Sequence, residues 1–395
     1  GQAVSPKPEH PYIWWSPNTH KRIIHCPLFL YSTDVMSVEL HYKQLANSLI
    51  VSYTRGLLSL ARKKRSRKIA VTSEADSRVI NSLKRITQDI QRYADPFSLE
   101  KALDLIDLAK IYDGVDKREL ECQTTELGYE DFVVLETLRY FKEDFFTWVT
   151  KPQCPKCGGD GANVIPAGSA RPPLLNPDEI SIIEMYNCVN CSERVEFPRI
   201  NNPAKLLETR KGRCGEWVNC FMLILRAVLG TDVQTRYIWN AEDHVWCEYY
   251  SSKQRKWVHL DPCENVSDEP SLYSKNWGKM MSWVVGIGEN YVVDLSEKYV
   301  TEVSKRLDKS TVANEQTIAN FIEQYNAHLL LQTWEKLQQL EVTENEKYLM
   351  LYNDVLLPQA RERVNFQRKP TTSLNLPQGR QTGDALWTSA RGENG

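Results

Sequence analysis

Two Cys-x-x-Cys pairs, Cys154-Pro-Lys-Cys157 and Cys188-Val-Asn-Cys191, constrain this chain more than any other feature. Two residues between paired thiolates form a tight knuckle that aims both sulfurs at one ion. Two knuckles supply four soft ligands in a tetrahedral arrangement, which suits zinc. The Gly- and Pro-rich run between the pairs is rich enough in turn residues to fold back on itself. Four thiolates leave no open coordination position, so one structural Zn2+ is expected rather than a catalytic ion. The other reading is buried or disulfide-bonded cysteine. Ten Cys in 395 residues do not make a disulfide scaffold. The first residues, Gly-Gln-Ala-Val-Ser-Pro-Lys-Pro, hold no apolar signal core. Both points favour a reducing compartment, with the cytoplasm as the expected location.

Charge excludes some partner classes. Lys plus Arg is 49 and Asp plus Glu is 51, so the formal net charge is −2. That balance gives no global attraction to nucleic acid or to an acidic membrane surface, and no apolar run is long enough to span a bilayer. The stretch Arg62-Lys63-Lys64-Arg65-Ser66-Arg67-Lys68 fits a nuclear-targeting signal, or simply cations at a helix C-terminus, where the dipole favours them. The 11 Trp and 18 Tyr are more than a core needs. Carbohydrate-binding clefts use such side chains, and so do large cores.

Periodicity divides the chain into segments. Residues 1–128 read as an N-terminal arm followed by helices; Leu40, Tyr42, Leu45, Leu49, Tyr53 and Leu57 recur at three- and four-residue steps. That stretch from Val35 to Lys64 suits either a docking helix or packing on the protein's own core. A second helical zone is expected over 78–111. Residues 129–150 read as a helix leading into the core, and 151–200 as the zinc-binding insert. Residues 201–310 read as a compact α+β catalytic unit, 311–364 as C-terminal helices, and 365–395 as a flexible tail.

The chemistry centres on Gly212-Arg-Cys214-Gly-Glu-Trp217. The segment after Cys214 is apolar nearly all round and reads as a buried helix that ends at Gly230. A helix N-terminus lowers a thiol pKa and raises the thiolate fraction. Glycines at 212 and 215 permit a tight turn and close approach of a substrate. Two strands follow. On the first, His244, Trp246, Glu248 and Tyr250 share a face; on the second, Trp257, His259 and Asp261 share one while Val258 and Leu260 face the core. An antiparallel hairpin turning at residues 251–255 would bring His244 and Asp261 to one rim. There His takes and returns the proton of a thiol nucleophile while Asp orients the imidazole. His259 is a rival base, placed in mid-strand where a packed or hydrogen-bonded role fits better.

Cys, His and Asp in this order, on helix, strand and strand, resemble the transglutaminase-like superfamily. The strings Leu206-Leu-Glu-Thr-Arg-Lys-Gly-Arg-Cys-Gly-Glu-Trp217, Asp243-His-Val-Trp-Cys-Glu248 and Trp257-Val-His-Leu-Asp261, with Cys263-Glu264 and the preceding Cys-x-x-Cys insert, resemble cytosolic peptide:N-glycanases over roughly 130–300. The resemblance implies an α+β fold: a transglutaminase-like (papain-like) core of helix plus antiparallel sheet, with a zinc insert and flanking helices. It implies a deglycosylating amidase that hydrolyses the β-aspartylglucosamine bond of N-linked glycans on misfolded glycoproteins, turning Asn into Asp through a thioester. Cys214, His244 and Asp261 are the implied triad. Glu264, Glu248, Trp257, Trp277 and Arg236 are the implied glycan contacts. The implied partners are a proteasome-shuttling ubiquitin receptor and a AAA unfoldase. Rival readings are a transglutaminase-type acyl transferase, a non-catalytic adaptor of endoplasmic-reticulum-associated degradation, and a cysteine protease.

Overall fold

The computed structural model describes residues 31–66, 71, 73–122 and 126–365. The expected arm before residue 31, the end of the basic stretch at 67–68 and the expected tail from 366 lie outside the described residues. The chain divides into two compact units, residues 1–49 and Ile50–Gly395. The described part of the first belongs to helix α1 (Tyr31–Arg65) and exposes Leu40, Tyr42, Leu45 and Leu49.

The second unit continues with α2 (Glu74–Ile90), α3 (Pro96–Leu105), α4 (Leu108–Glu121) and α5 (Tyr129–Tyr140). The single zone expected over 78–111 is broken twice. Asp95 caps a new helix by accepting from Ser98 N–H at 2.9 Å, and Pro96, which has no N–H to give to a preceding turn, occupies the first helical position. Asp107 caps α4 in the same way through Lys110 N–H at 3.0 Å. After α5 a π-helical turn (Phe141–Phe145) leads into β1 (Thr147–Trp148). The insert follows as a three-stranded antiparallel sheet of β2 (Val164–Ala170), β3 (Ile180–Cys188) and β4 (Arg194–Ile200). Its own core is small: Val164, Tyr186, Val195 and Phe197 with Cys154 and Cys188.

Helix α6 (Pro203–Thr209) and β5 (Lys211–Gly212) precede α7 (Cys214–Leu229); β5 pairs in parallel with β1. Helix α7 fully buries Val218 and the whole run Cys220 to Leu225, each large side chain contributing roughly 1.5–3 kcal/mol. It ends at Gly230, whose φ of +86° suits glycine. The main sheet holds β6 (Thr235–Asn240), β7 (Val245–Ser251), β8 (Lys256–Asp261), β9 (Val266–Ser267), β10 (Val284–Gly288) and β11 (Val292–Asp294), in the order β11-β10-β6-β7-β8-β9. Strands β7 and β8 form the expected hairpin, with Ser251 opposite Lys256 and Cys247 opposite Leu260. Cys247, Tyr249, Val258 and Leu260 face α7 and join its core. The opposite face carries Trp246 and is covered by Leu272, Tyr273, Trp277, Leu295 and Tyr299. Short helix α8 (Ser296–Tyr299) lies within this cover. Helices α9 (Glu315–Gln338), α10 (Glu344–Leu351) and α11 (Leu357–Asn365) complete the described chain; Trp334 stacks on Tyr348 at 4.5 Å.

Helix α11 is tied to the main sheet by buried charge. Arg236 of β6 is 0% exposed and donates to both Glu362 oxygens, Nη2 to Oε1 at 2.6 Å and Nη1 to Oε2 at 3.0 Å. It also donates to the Tyr291 hydroxyl at 3.0 Å and to Glu248 of β7, which accepts from Lys298 Nζ at 2.6 Å and from the Tyr299 hydroxyl as well. Burial alone would raise the Glu248 carboxyl, but the Arg236 and Lys298 charges outweigh it and hold it at about 2. The stabilisation is therefore complete above the ordinary value of 4.5 and is lost as pH falls from there toward 2. Glu248→Gln should cost roughly 3 kcal/mol at neutral pH, as expected when one partner of a buried pair is removed. Urea unfolding at a series of pH values should show that deficit shrinking below 4.5.

Candidate active site and metal centre

Cys214 is the first residue of α7 and is 5% exposed. Its helix starts without a capping hydroxyl. Instead the Glu216 carboxylate, in the first turn, accepts the Arg213 backbone N–H at 3.0 Å. Glu216 is itself held by Arg199 of β4, with Nε to Oε1 at 2.7 Å and Nη2 to Oε2 at 2.9 Å. Arg199 Nη1 reaches Glu184 of β3 at 3.1 Å, and Glu184 receives a second two-pronged contact from Arg213, both prongs at 2.8 Å. Arg213 also donates to Val149 O at 3.0 Å. Arg199 lines the same cavity as Cys214.

Of the two glycines near Cys214, packing requires only Gly212. A Cβ on Gly212 would meet the Glu216 Cβ at 2.3 Å and Cγ at 2.8 Å, so the capping carboxylate needs glycine there. A Cβ on Gly215 would meet nothing within 4 Å. Gly215 lines the cavity onto which Cys214 opens.

His244 precedes β7 and Asp261 ends β8; both are 0% exposed. His244 Nε2 lies 2.9 Å from Asp261 Oδ2. Asp261 Oδ1 accepts the backbone N–H of Cys263 at 2.9 Å and of Glu264 at 3.3 Å. Burial opposes ionisation of Asp261, but the charge and hydrogen bond of His244 outweigh it and hold the carboxyl well below its ordinary value. The turn before His244 is fixed through Glu242. Lys279 Nζ donates to its carbonyl at 2.5 Å, and Ser282 N–H donates to its carboxylate at 2.9 Å. Asp243, between Glu242 and His244, adopts φ +63°. The imidazole packs between Trp277, 5.1 Å away, and Trp246, 5.8 Å away.

Cys214 and the residues on either side of His244, Asp243 and Val245, line one cavity of about 210 Å³. Trp239, Tyr237, Asn201, Asn219 and Arg199 line it too, with Arg85, Asp89 and Tyr93 from the end of α2 and the turn after it. Glu216 was legible from its place in the first turn as a capping box. The α2 residues carry no sequence signal, because nothing local marks a helix more than a hundred residues away as a wall of the cleft.

The five expected glycan contacts divide in two. Glu264 and Trp277 adjoin the His244–Asp261 pair: Glu264 through its N–H to Asp261, Trp277 through its ring on His244. Arg236, Glu248 and Trp257 do not line the Cys214 cavity. Arg236 and Glu248 are enclosed in the ion cluster that holds α11, and Trp257 lies against the Arg236 guanidinium at 4.2 Å. They share the sheet face of the pair, as expected, but the segment 262–300 and α11 cover that face. Trp257 lines a separate cavity, with Thr235, Glu289 and Tyr291.

The Sγ atoms of Cys154, Cys157, Cys188 and Cys191 all lie within 4.8 Å of one another. Two of the separations are 3.6 Å (Cys154 to Cys191) and 3.4 Å (Cys157 to Cys188). The edge of a tetrahedral tetrathiolate is about 3.8 Å for a metal–sulfur bond of about 2.3 Å, so this set could hold one metal ion. Both knuckles close by backbone bonds, Gly158 N–H to Cys154 O at 2.9 Å and Ser192 N–H to Cys188 O at 2.8 Å.

A helix that opens with a cysteine and lies on an antiparallel sheet, with His and Asp at the rim of adjacent strands, defines a transglutaminase-like fold. The transglutaminase-like superfamily matches residues 169–262, and the Rad4 transglutaminase-like domain matches residues 233–347. The peptide-N(4)-(N-acetyl-beta-glucosaminyl)asparagine amidase of Debaryomyces hansenii is 48% identical over 364 residues, 90% of this chain and 97% of that protein. That of Candida albicans is 43% identical over 388 residues, 91% and 97%. That of Saccharomyces cerevisiae is 36% identical over 315 residues, 77% and 82%. The chain belongs to this amidase family.

The two glycines give a paired test. Gly212→Ala should lose about 1–3 kcal/mol by displacing Glu216, and Cys214 should react more slowly with iodoacetamide. Gly215→Ala should stay within about 0.5 kcal/mol of wild type. Thermal unfolding and alkylation rates check both.

Proposed function

We propose that this chain is a deglycosylating amidase in which Cys214, His244 and Asp261 cleave the β-aspartylglucosamine bond of N-glycosylated, misfolded proteins. The observation that carries this reading is the buried His244–Asp261 pair, next to a cavity onto which the helix-start thiol opens. Asp261 engages Nε2, so Nδ1 is the nitrogen that serves the thiol. Nδ1 takes the Cys214 proton, and the thiolate adds to the side-chain amide carbonyl of the glycosylated Asn. The backbone N–H of Cys214, in the first turn of α7, is the proposed donor to the oxyanion. The intermediate collapses as Nδ1–H protonates the leaving nitrogen, and the glycan departs as a glycosylamine. Water, deprotonated by Nδ1, then hydrolyses the thioester, leaving Asp in place of Asn and restoring the thiol.

Trp239, Asp89 and Asn201 on the cavity wall, with Glu264 and Trp277 beside the pair, are the side chains proposed to meet the substrate. Aromatic faces suit sugar C–H surfaces and carboxylates accept sugar hydroxyls. The set of four cysteines in the insert is proposed to hold one structural Zn2+, which closes the insert and takes no part in proton transfer. No described helix is long and apolar enough to cross a membrane, and the thiol-rich site suits a reducing compartment such as the cytoplasm or nucleus. The proposed partners are a proteasome-shuttling ubiquitin receptor and a AAA unfoldase; the exposed Leu40, Tyr42, Leu45 and Leu49 supply an apolar stripe on which a helical partner could seat.

Cys214→Ala should abolish glycan release from a denatured high-mannose glycoprotein, by roughly 10⁴-fold or more, with bound zinc unchanged. The readout is the mass change of Asn to Asp; substantial residual release would sink the mechanism. Chelation should remove about one zinc per chain and accelerate amide exchange in β2–β4, with activity lost as α7 loses its support. Full activity and unchanged exchange in the metal-free protein would refute the structural role.

A further inference from the structure

The sheet face that carries His244 holds a second fully buried histidine, His259, which the reaction above does not use. It is joined to the catalytic aspartate through Tyr273, on the π-helical turn Leu272–Asn276. His259 Nε2 lies 2.7 Å from Tyr273 Oη, and Tyr273 Oη lies 3.0 Å from Asp261 Oδ2. The Glu269 backbone N–H donates to His259 Nδ1 at 3.2 Å.

The direction of every bond in this chain follows from donor counting. A backbone N–H can only donate, so His259 Nδ1 is the acceptor and bears no proton. Burial pushes His259 down to about 4, so at neutral pH the ring is neutral and its one proton sits on Nε2. That proton goes to Tyr273 Oη. The single hydroxyl proton of Tyr273 then goes to Asp261 Oδ2, because an ionised carboxylate only accepts. Oδ2 takes its other bond from His244 Nε2 at 2.9 Å, which must therefore carry the proton. With Cys263 and Glu264 N–H on Oδ1, the carboxylate accepts two bonds on each oxygen. A carboxylate held at both oxygens cannot rotate about its last bond without losing several of them.

We propose that Tyr273 and His259 are positioning residues that lock Asp261 in one orientation and so fix His244 as the Nε2–H tautomer, keeping Nδ1 as the base. The proposal rests on the assignment of Cys214, His244 and Asp261 as the triad. It predicts a defect in turnover rather than in substrate binding. Tyr273 lies beneath the imidazole, 5.4 Å from His244 and 4.0 Å from Trp246, ring to ring. Tyr273→Phe keeps those contacts and removes only the hydroxyl.

The test is steady-state kinetics of the full chain on a denatured N-glycoprotein. Tyr273→Phe should lower kcat by about 10- to 100-fold, the usual cost of losing a group that orients a reacting one, with KM within about twofold of wild type. His259→Leu should lower kcat similarly, because Tyr273 loses the donor that directs its proton. His259→Gln can still donate an amide N–H to Tyr273 and should recover most of the rate. A wild-type kcat for Tyr273→Phe, or equal losses for His259→Leu and His259→Gln, would overturn the positioning role. Imidazole ¹⁵N NMR of the unmodified protein gives a second check that needs no variant: His259 must be neutral and protonated at Nε2, and an Nδ1–H signal would overturn the chain of bonds. Cys214→Ala, run in parallel, separates the two levels. If it still releases glycan, the triad assignment itself falls. If it is dead while Tyr273→Phe turns over normally, only the positioning role falls.

Discussion

Four charged side chains, Glu184, Arg199, Arg213 and Glu216, form one lattice around the start of α7 and fix the turn that carries Cys214. Glu216 has two tasks there: it caps the helix at Arg213 N–H and it accepts both prongs of Arg199. Glu184 closes the lattice by joining Arg199 to Arg213. Planar guanidinium against carboxylate is directional as well as strong, so the lattice fixes orientation and not only distance. Two of the four residues, Glu184 and Arg199, belong to the insert. An insert remote from Cys214 in sequence thus acquires a reason to be present. Its core of a few side chains is too small to hold three strands together unaided. A metal on the four cysteines would close the hairpin, the hairpin presents Glu184 and Arg199, and these set where Cys214 stands.

The main sheet supports the other half of the site by burying both of its faces. One face packs on α7, and the other is roofed by the segment 262–300. His244 and Asp261 therefore sit in a dry environment although they lie at a strand rim. Low dielectric strengthens the pair and makes any unmade bond to it expensive. That accounts for the complete saturation of the Asp261 carboxylate by donors from His244, the turn after β8 and Tyr273.

Much of this was legible in the sequence. The two knuckles, the apolar helix opening at Cys214 and closing at Gly230, and the alternation in Val245–Ser251 and Lys256–Asp261 each rest on local rules. Those rules placed His244 and Asp261 on one face and at one end of a hairpin. The break of the second helical zone at Asp95-Pro96 was also written locally, in a capping residue followed by proline. What local rules do not carry is what lies against a face once it is made. The cavity wall from α2, the Glu184–Arg199 lattice and the Tyr273–His259 relay all join residues that local patterns do not connect. Nor does periodicity reveal which imidazole nitrogen meets the aspartate; the three-dimensional contact shows that it is Nε2.

Arg236, Glu248 and Trp257 show where face and exposure part company. Their residue types are those of a sugar site, a guanidinium, a carboxylate and an indole, and alternation puts Glu248 and Trp257 on the face of the His244–Asp261 pair. The same three groups are also an efficient internal fastening. A guanidinium can bind two carboxylates in its plane while an aromatic ring covers its face, and Arg236 does this with Glu248, Glu362 and Trp257. The fastening joins β6 and β7, the latter beginning just after His244, to α11. Replacing any of the three would disturb the strand that begins beside His244, so loss of activity in such a variant would report on the framework of the site as well as on any contact with glycan. The cavity beside Cys214 is walled by a different set, from α2, the end of β4, α7, β6 and the turn into β7, none of which the alternation along β7 and β8 could single out.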